Sequence, residues 1–145
     1  MRHSLVVESK PSAINDICRE ILSRVEESGY SKQDAFAVHL AIEEAFVNAI
    51  KHGNKMDSRR TVKIEYEAGP EGIEIWLTDE GDGFDPESVP DPRSGQNIYK
   101  PEGRGLLLIR SYMDEVSFNE RGNRIHMVRY RQRPEAAEDE RVEGT

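Results

Sequence analysis

Cysteine is almost missing from this chain of 145 residues, with Cys18 standing alone, so an intrachain disulfide framework is excluded. The four histidines show no metal-ligand spacing either with one another or with Cys18, which argues against a transition-metal site. Long apolar runs are missing too. The longest purely aliphatic stretch, residues 106–109, falls far short of the ~20 residues that span a bilayer, so no membrane segment is expected. Aromatic residues make up only 7% of the chain; they are scattered and read as core. An excess of basic charge is also lacking. Twenty Lys and Arg face 28 Asp and Glu for a net charge of −8, which argues against nucleic acid, whose phosphates require clustered basic surface. Half of that charge sits in residues 134–145, where Glu135, Glu138, Asp139, Glu140 and Glu143 outnumber Arg141 to give a net −4. There is no Walker A sequence and no nucleophile elbow for Ser-His-Asp catalysis.

What remains is a chain with 36% hydrophobic and 33% charged residues, enough for one core but not for two. Residues 1–133 are expected to form a single domain, and residues 134–145, small, charged and without periodicity, an acidic disordered tail. Glu8 interrupts the N-terminus before any signal-like apolar stretch forms, so the expected location is the cytoplasm.

The periodicity predicts a short strand at residues 5–7 and a helix opened by Pro11 or Ser12 that carries Ile14, Ile17, Cys18, Ile21, Leu22 and Val25 and ends at Gly29. Ser31 with Asp34 three residues later resembles a capping box and predicts a long buried helix running to about His52, stopped by Gly53-Asn54. Residues 61–67 and 73–77 alternate about the turn Gly69-Pro70-Glu71-Gly72, a β-hairpin. After a Gly-, Pro- and Asp-rich section from Asp79 to Gly105, too long for an ordinary connection, a helix resumes at residues 106–113. Two more strands follow at 116–118 and 125–130. Locally paired strands with helices in blocks predict an α+β fold with an antiparallel or mixed sheet.

Within the long helix, Glu44, Asn48, Lys51 and His52 fall on one arc of roughly 100° at about 100° per residue. Ala37 and Ala41 share that arc and leave room above it. Phe36, Val38, Leu40, Ile42, Phe46 and Val47 fill much of the rest, and a helix apolar nearly all round is buried. The polar stripe should therefore line a cavity. Glu44 and Asn48 could instead bond each other across one turn. In the sharper reading Asn48 is an oxygen ligand to Mg²⁺ and touches triphosphate, Glu44 is the base toward a hydroxyl nucleophile, and Lys51 offsets phosphate charge. His52 reads either as part of the stripe or as a cap on the last carbonyls.

Asp79-Glu80-Gly81-Asp82-Gly83 follows the second hairpin strand directly. It is turn chemistry or a site in which Gly81 and Gly83 admit a flat ligand while Asp79 accepts from an exocyclic amine. Gly103-Arg104-Gly105, set before the helix expected at Leu106, offers free N–H groups and a positive dipole end to phosphate.

Taken in order, E-x-x-x-N-A-x-K-H on a helix, D-x-G-x-G after a strand and G-x-G before a helix resemble the GHKL ATPases of gyrase, heat-shock chaperone, histidine kinase and MutL type. The Ser31-Lys32-Gln33-Asp34 entry, the run from Glu44 to Gly53 and the ending Met113-Asp114-Glu115-Val116 resemble the anti-sigma factor serine kinases over roughly residues 5–131. The resemblance implies a Bergerat two-layer α/β sandwich with a mixed, mostly antiparallel sheet and helices on one face. It implies binding of ATP with Mg²⁺, Glu44 as catalytic base, Asn48 as magnesium ligand and Asp79 at the adenine amine. Gly81 and Gly83 would shape that pocket, and Gly103 and Gly105 would bind phosphates beneath a lid over residues 85–102. Lys100 or Arg104 would stand where relatives carry a lid arginine toward the γ-phosphate, and Gly122-Asn123 stands where they carry Gly-Thr. The implied partners are a sigma factor, held by the kinase, and a small anti-sigma antagonist phosphorylated on serine; a homodimer is common in the family. The alternative is a non-catalytic ATP-binding regulatory module of the same fold, which would have no need of Glu44. A histidine-kinase fragment fits less well, since His39 lies on the far side of the ATPase helix and no dimerisation helix with a phosphoacceptor histidine precedes it.

Overall fold

The computed structural model describes residues 2–81 and 101–131. Gly83, Lys100, most of the expected lid and the tail at residues 134–145 lie outside the described residues.

Five strands form one sheet in the order β1-β2-β3-β5-β4: β1 His3–Glu8, β2 Thr61–Ala68, β3 Gly72–Asp79, β4 Glu115–Phe118 and β5 Arg124–Tyr130. Every pairing among the described residues is antiparallel. The β2–β3 hairpin pairs Ile64 with Leu77 and Tyr66 with Ile75, so the alternation in both strands sends the same face inward. Against that face lie α1 Ile14–Glu27, entered through a 3₁₀ turn at Pro11–Ala13, and α2 Lys32–Asn48. α3, Pro101–Tyr112, packs beside α2. The core joins Ile17, Ile21 and Val25 of α1, Val38, Ile42 and Phe46 of α2, and Ile64, Ile73, Ile75 and Met127 of the sheet, all fully buried. Each such side chain contributes about 1.5–3 kcal/mol by leaving water.

Trp76 departs from the reading of the aromatics as core, because it points to the face of the sheet away from the helices. There it stacks on His126 with ring centroids 4.7 Å apart, and the Arg2 guanidinium covers it at 3.9 Å. Glu65 holds that cover by pairing with Arg2 at 3.6 Å and Arg124 at 3.1 Å.

Four expectations are corrected. The capping box is only half made. Ser31 Oγ accepts from the Asp34 N–H at 3.0 Å, but the Asp34 carboxylate turns to Arg129 of β5 at 2.9 Å instead of returning to the cap. The helix is not apolar and buried all round, since Phe36 is 59% exposed and Val47 39%; α1, α3 and the sheet cover the rest. Its last turn, Ala49–Gly53, is a π-helix, whose i→i+5 bonds change the angular step. Lys51 and His52 on this turn are both exposed. Finally, α3 begins at Pro101 rather than Leu106. Proline at the first helical position has its φ already set and lacks an N–H that would go unsatisfied there anyway, so the helix takes in Gly103, Arg104 and Gly105.

Candidate functional site

The candidate site forms where the end of α2 meets the end of β3. Gly53 closes the π turn with its Cα against the Asp79 side chain. A Cβ placed on Gly53 would lie 2.2 Å from the Asp79 carboxyl carbon, and one on Gly81 would lie 1.9 Å from the Gly53 carbonyl oxygen. Neither glycine has a positive φ, so space rather than backbone conformation requires the missing side chains.

Asp79 is fixed from both sides. Its N–H donates to the Asn123 carbonyl at 2.9 Å, and the Asn123 amide donates to its carbonyl at 3.3 Å. Its Oδ1 accepts from the Gly81 N–H at 2.7 Å. Burial pushes the carboxyl above its ordinary range, against the smaller lowering effects of the Gly81 N–H and of Arg60 and Arg121. A charge held there at neutral pH is kept at a cost, a feature that clusters at functional sites.

Asn54 ties the corner together and is fully buried. Its amide donates to Ser9 Oγ at 3.2 Å and to the Thr61 carbonyl at 3.0 Å, and its Oδ1 accepts from the Glu80 N–H at 2.8 Å. One side chain thus joins the ends of β1, β2, β3 and the π turn. Glu80 adds a second tie, accepting through Oε1 from the Thr61 N–H at 2.7 Å and from the Thr61 hydroxyl. Beyond Asn54, Lys55 and Met56 both adopt the left-handed region at φ 53° and 62°, held by the Met56 N–H donating to the Ile50 carbonyl at 2.8 Å. Two consecutive non-glycine residues in that region cost free energy, and such strain clusters at functional sites.

Glu44 and Asn48 stand on α2 back along the same helix from this corner, at roughly 13 Å and 7 Å from Gly53 for about 1.5 Å of rise per residue. Both are half-buried, and neither side chain bonds another among the described residues, so the mutual Glu44–Asn48 bond is not made. Lys51 and His52 are exposed, and among the described residues His52 does not cap the helix carbonyls. The fold therefore brings Asp79, Gly81 and the α2 terminus together, and among the described residues it leaves Glu44 and Asn48 without a side-chain partner on the same helix. Gly103, Arg104 and Gly105 lie within α3. Gly53, Asn54 and Asn123 were not singled out as site residues, because Gly-Asn after a helical run reads equally well as a helix stop.

The comparisons give the family and the fold. A family model for the histidine kinase-like ATPase domain matches residues 7–129. Serine-protein kinase RsbW of Bacillus licheniformis is 31% identical over 117 residues, covering 74% of this chain and 71% of that protein. Serine-protein kinase RsbW of Staphylococcus aureus strain MSSA476 is 32% identical over 125 residues, covering 80% and 79%. The crystal structure of the RsbU and RsbW domains of Rv1364c from Mycobacterium tuberculosis matches 92% of this chain with a TM-score of 0.63. The match takes in 33% of that longer chain at 14% identity, a likeness of fold alone. With the Asp79–Gly81 corner set against the end of an α2 that carries half-buried Glu44 and Asn48, and with relatives of this similarity, the chain belongs to the histidine kinase-like ATPase family and, within it, to the anti-sigma factor serine-protein kinases.

Proposed function

We propose that this chain binds ATP with Mg²⁺ and transfers the γ-phosphoryl group to a serine of a small antagonist protein, and that it holds a sigma factor which this phosphorylation controls. The observation that carries the proposal is the pair of half-buried polar side chains, Glu44 and Asn48, which bond no other side chain among the described residues, on the helix whose end packs against Asp79. In this reading Asp79 accepts from the adenine amine, and Gly81 with Gly83 lets the ring approach the backbone. Lys51, His52, Lys100 and Arg104 balance phosphate charge, and the backbone at Gly103 and Gly105 lies along the phosphates.

The donor set fits magnesium. Among the described residues no group of three or more His, Cys, Asp or Glu could hold a metal ion. Mg²⁺ does not need such a cage, because it keeps several waters and is bound by one or two protein oxygens together with substrate phosphates. The Asn48 side-chain oxygen would supply one of these. Bound there, the ion would neutralise charge on the triphosphate.

Glu44 performs the chemistry that belongs to the chain itself. The acceptor serine oxygen forms a bond to the γ-phosphorus, the bond from that phosphorus to the bridging oxygen breaks, and ADP leaves with the electron pair. The serine proton passes to the Glu44 carboxylate. A purely binding module of the same fold would not need a free carboxylate here. No helix among the described residues is long and apolar enough to cross a membrane; the reading includes work in the cytoplasm as a homodimer, as is common in the family.

Incubation with radiolabelled ATP, Mg²⁺ and a purified anti-sigma antagonist protein tests the proposal. Labelled phosphoserine on that protein is the expected product. ATP binding without any transfer would favour the regulatory module.

A further inference from the structure

We propose that Gly53 is a positioning residue for nucleotide selection: the missing side chain at the end of the π turn leaves the space that holds the Asp79 carboxylate in its adenine-reading position. The inference rests on the reading of Asp79 as the adenine contact and adds a second residue to it.

A Cβ on Gly53 would sit 2.2 Å from both Cγ and Oδ2 of Asp79 and 2.7 Å from Oδ1, distances at which one partner must move. The α2 side is poorly able to yield. The Asn54 N–H is bonded to the Ala49 carbonyl at 2.7 Å, and the buried Asn54 amide is tied to β1, β2 and the residue after Asp79. The β3 backbone is also fixed, with Asp79 paired to Val62 on one side and bonded to Asn123 on the other. What is left to move is the Asp79 side chain, which would rotate away from the Gly81 N–H that now orients it at 2.7 Å. The π turn gives this arrangement its purpose, since it carries Gly53 rather than a bulkier neighbour to the point of closest approach.

The test is a cycle of four proteins: wild type, Gly53→Ala, Asp79→Ala and the double variant. Thermal midpoints without nucleotide, and affinities for ATP and inosine triphosphate, are measured for each. Inosine carries a carbonyl where adenine carries its amine, so the ATP/ITP ratio reports the Asp79 contact. Gly53→Ala is expected to melt lower than wild type and to lower ATP affinity about tenfold, with the ATP/ITP ratio falling toward that of Asp79→Ala. In the Asp79→Ala background the same methyl meets no carboxylate, so it should cost little in melting and nothing further in the ratio. Should Gly53→Ala fail to fold, the double variant carries the test, because removing the carboxylate should restore folding; a double variant that also fails overturns the proposal. Additive melting losses with an unchanged ratio in Gly53→Ala would overturn it too, leaving Gly53 a structural glycine. If Asp79→Ala itself keeps the wild-type ratio while melting is non-additive, the adenine reading fails and the contact is structural only, which removes the positioning role as well.

Discussion

Replacing Asp79 with asparagine should separate what this residue does for the fold from what it does for the ligand. In Asp79→Asn the side-chain oxygen could still accept from the Gly81 N–H, now bonded to Asp79 at 2.7 Å, so the geometry should persist while the charge is removed. Losing a charge-assisted bond from the adenine amine costs about 1–3 kcal/mol, roughly a 5- to 150-fold rise in Kd. Stability should move the other way. Burial raises the Asp79 carboxyl above 3.8, so it binds its proton more tightly folded than unfolded. Stability is therefore lost as pH rises from 3.8 toward the folded value, and the deficit is complete above it. Asparagine removes that deficit, so the variant should melt above wild type at neutral pH, by a margin that shrinks as pH falls toward the ordinary carboxylate range. Isothermal calorimetry with ATP and differential scanning calorimetry without it measure both effects. An unchanged Kd would place the adenine elsewhere, and a lower melting temperature at neutral pH would make the carboxylate a structural group.

Two further predictions concern the buried polar groups. Arg129→Met should cost about 3–5 kcal/mol in urea denaturation, because Asp34 is 1% exposed with Oδ2 unbonded and Arg129 is its ion-pair partner at 2.9 Å. Adding Asp34→Asn should recover part of the loss, and a loss below about 1 kcal/mol would mean that solvent reaches the carboxylate. Burial, and secondarily the Glu43 charge, pushes the Cys18 thiol up to about 11. At about pH 8 roughly one molecule in a thousand would then carry the thiolate, so iodoacetamide should label Cys18 only after unfolding; rapid labelling of the native chain would contradict this.

The elements legible in the sequence are those whose signal is local. The β2–β3 hairpin follows from its alternation and intervening turn, and the start of α2 follows from Ser31. The Glu44–Asn48 spacing singles out α2 because polar groups one turn apart on a largely apolar helix need a reason, and both side chains are half-buried there. Four things were not legible. Arg129 reaches Asp34 across 95 residues of chain, and no window-based pattern carries such a pairing. The π turn at Ala49–Gly53 uses the same residue types as an α-helix, so only the hydrogen bonding reveals it. The start of α3 was misplaced because Gly103 and Gly105 read as loop, while Pro101 supplies an N-terminus that outweighs them. The exposure of Phe36 follows from which helices pack on α2, a tertiary choice that overrides the apolar count.

The proposed transfer requires Glu44 to act as a base while other residues hold the nucleotide. Single-turnover transfer of labelled phosphate from ATP to the antagonist serine, compared between wild type and Glu44→Ala at saturating ATP, tests this most directly when ATP affinity is measured on the same samples. The expected result is a transfer rate lower by about 10²–10⁴-fold with ATP affinity unchanged. Equal transfer rates in the two proteins would contradict the role assigned to Glu44.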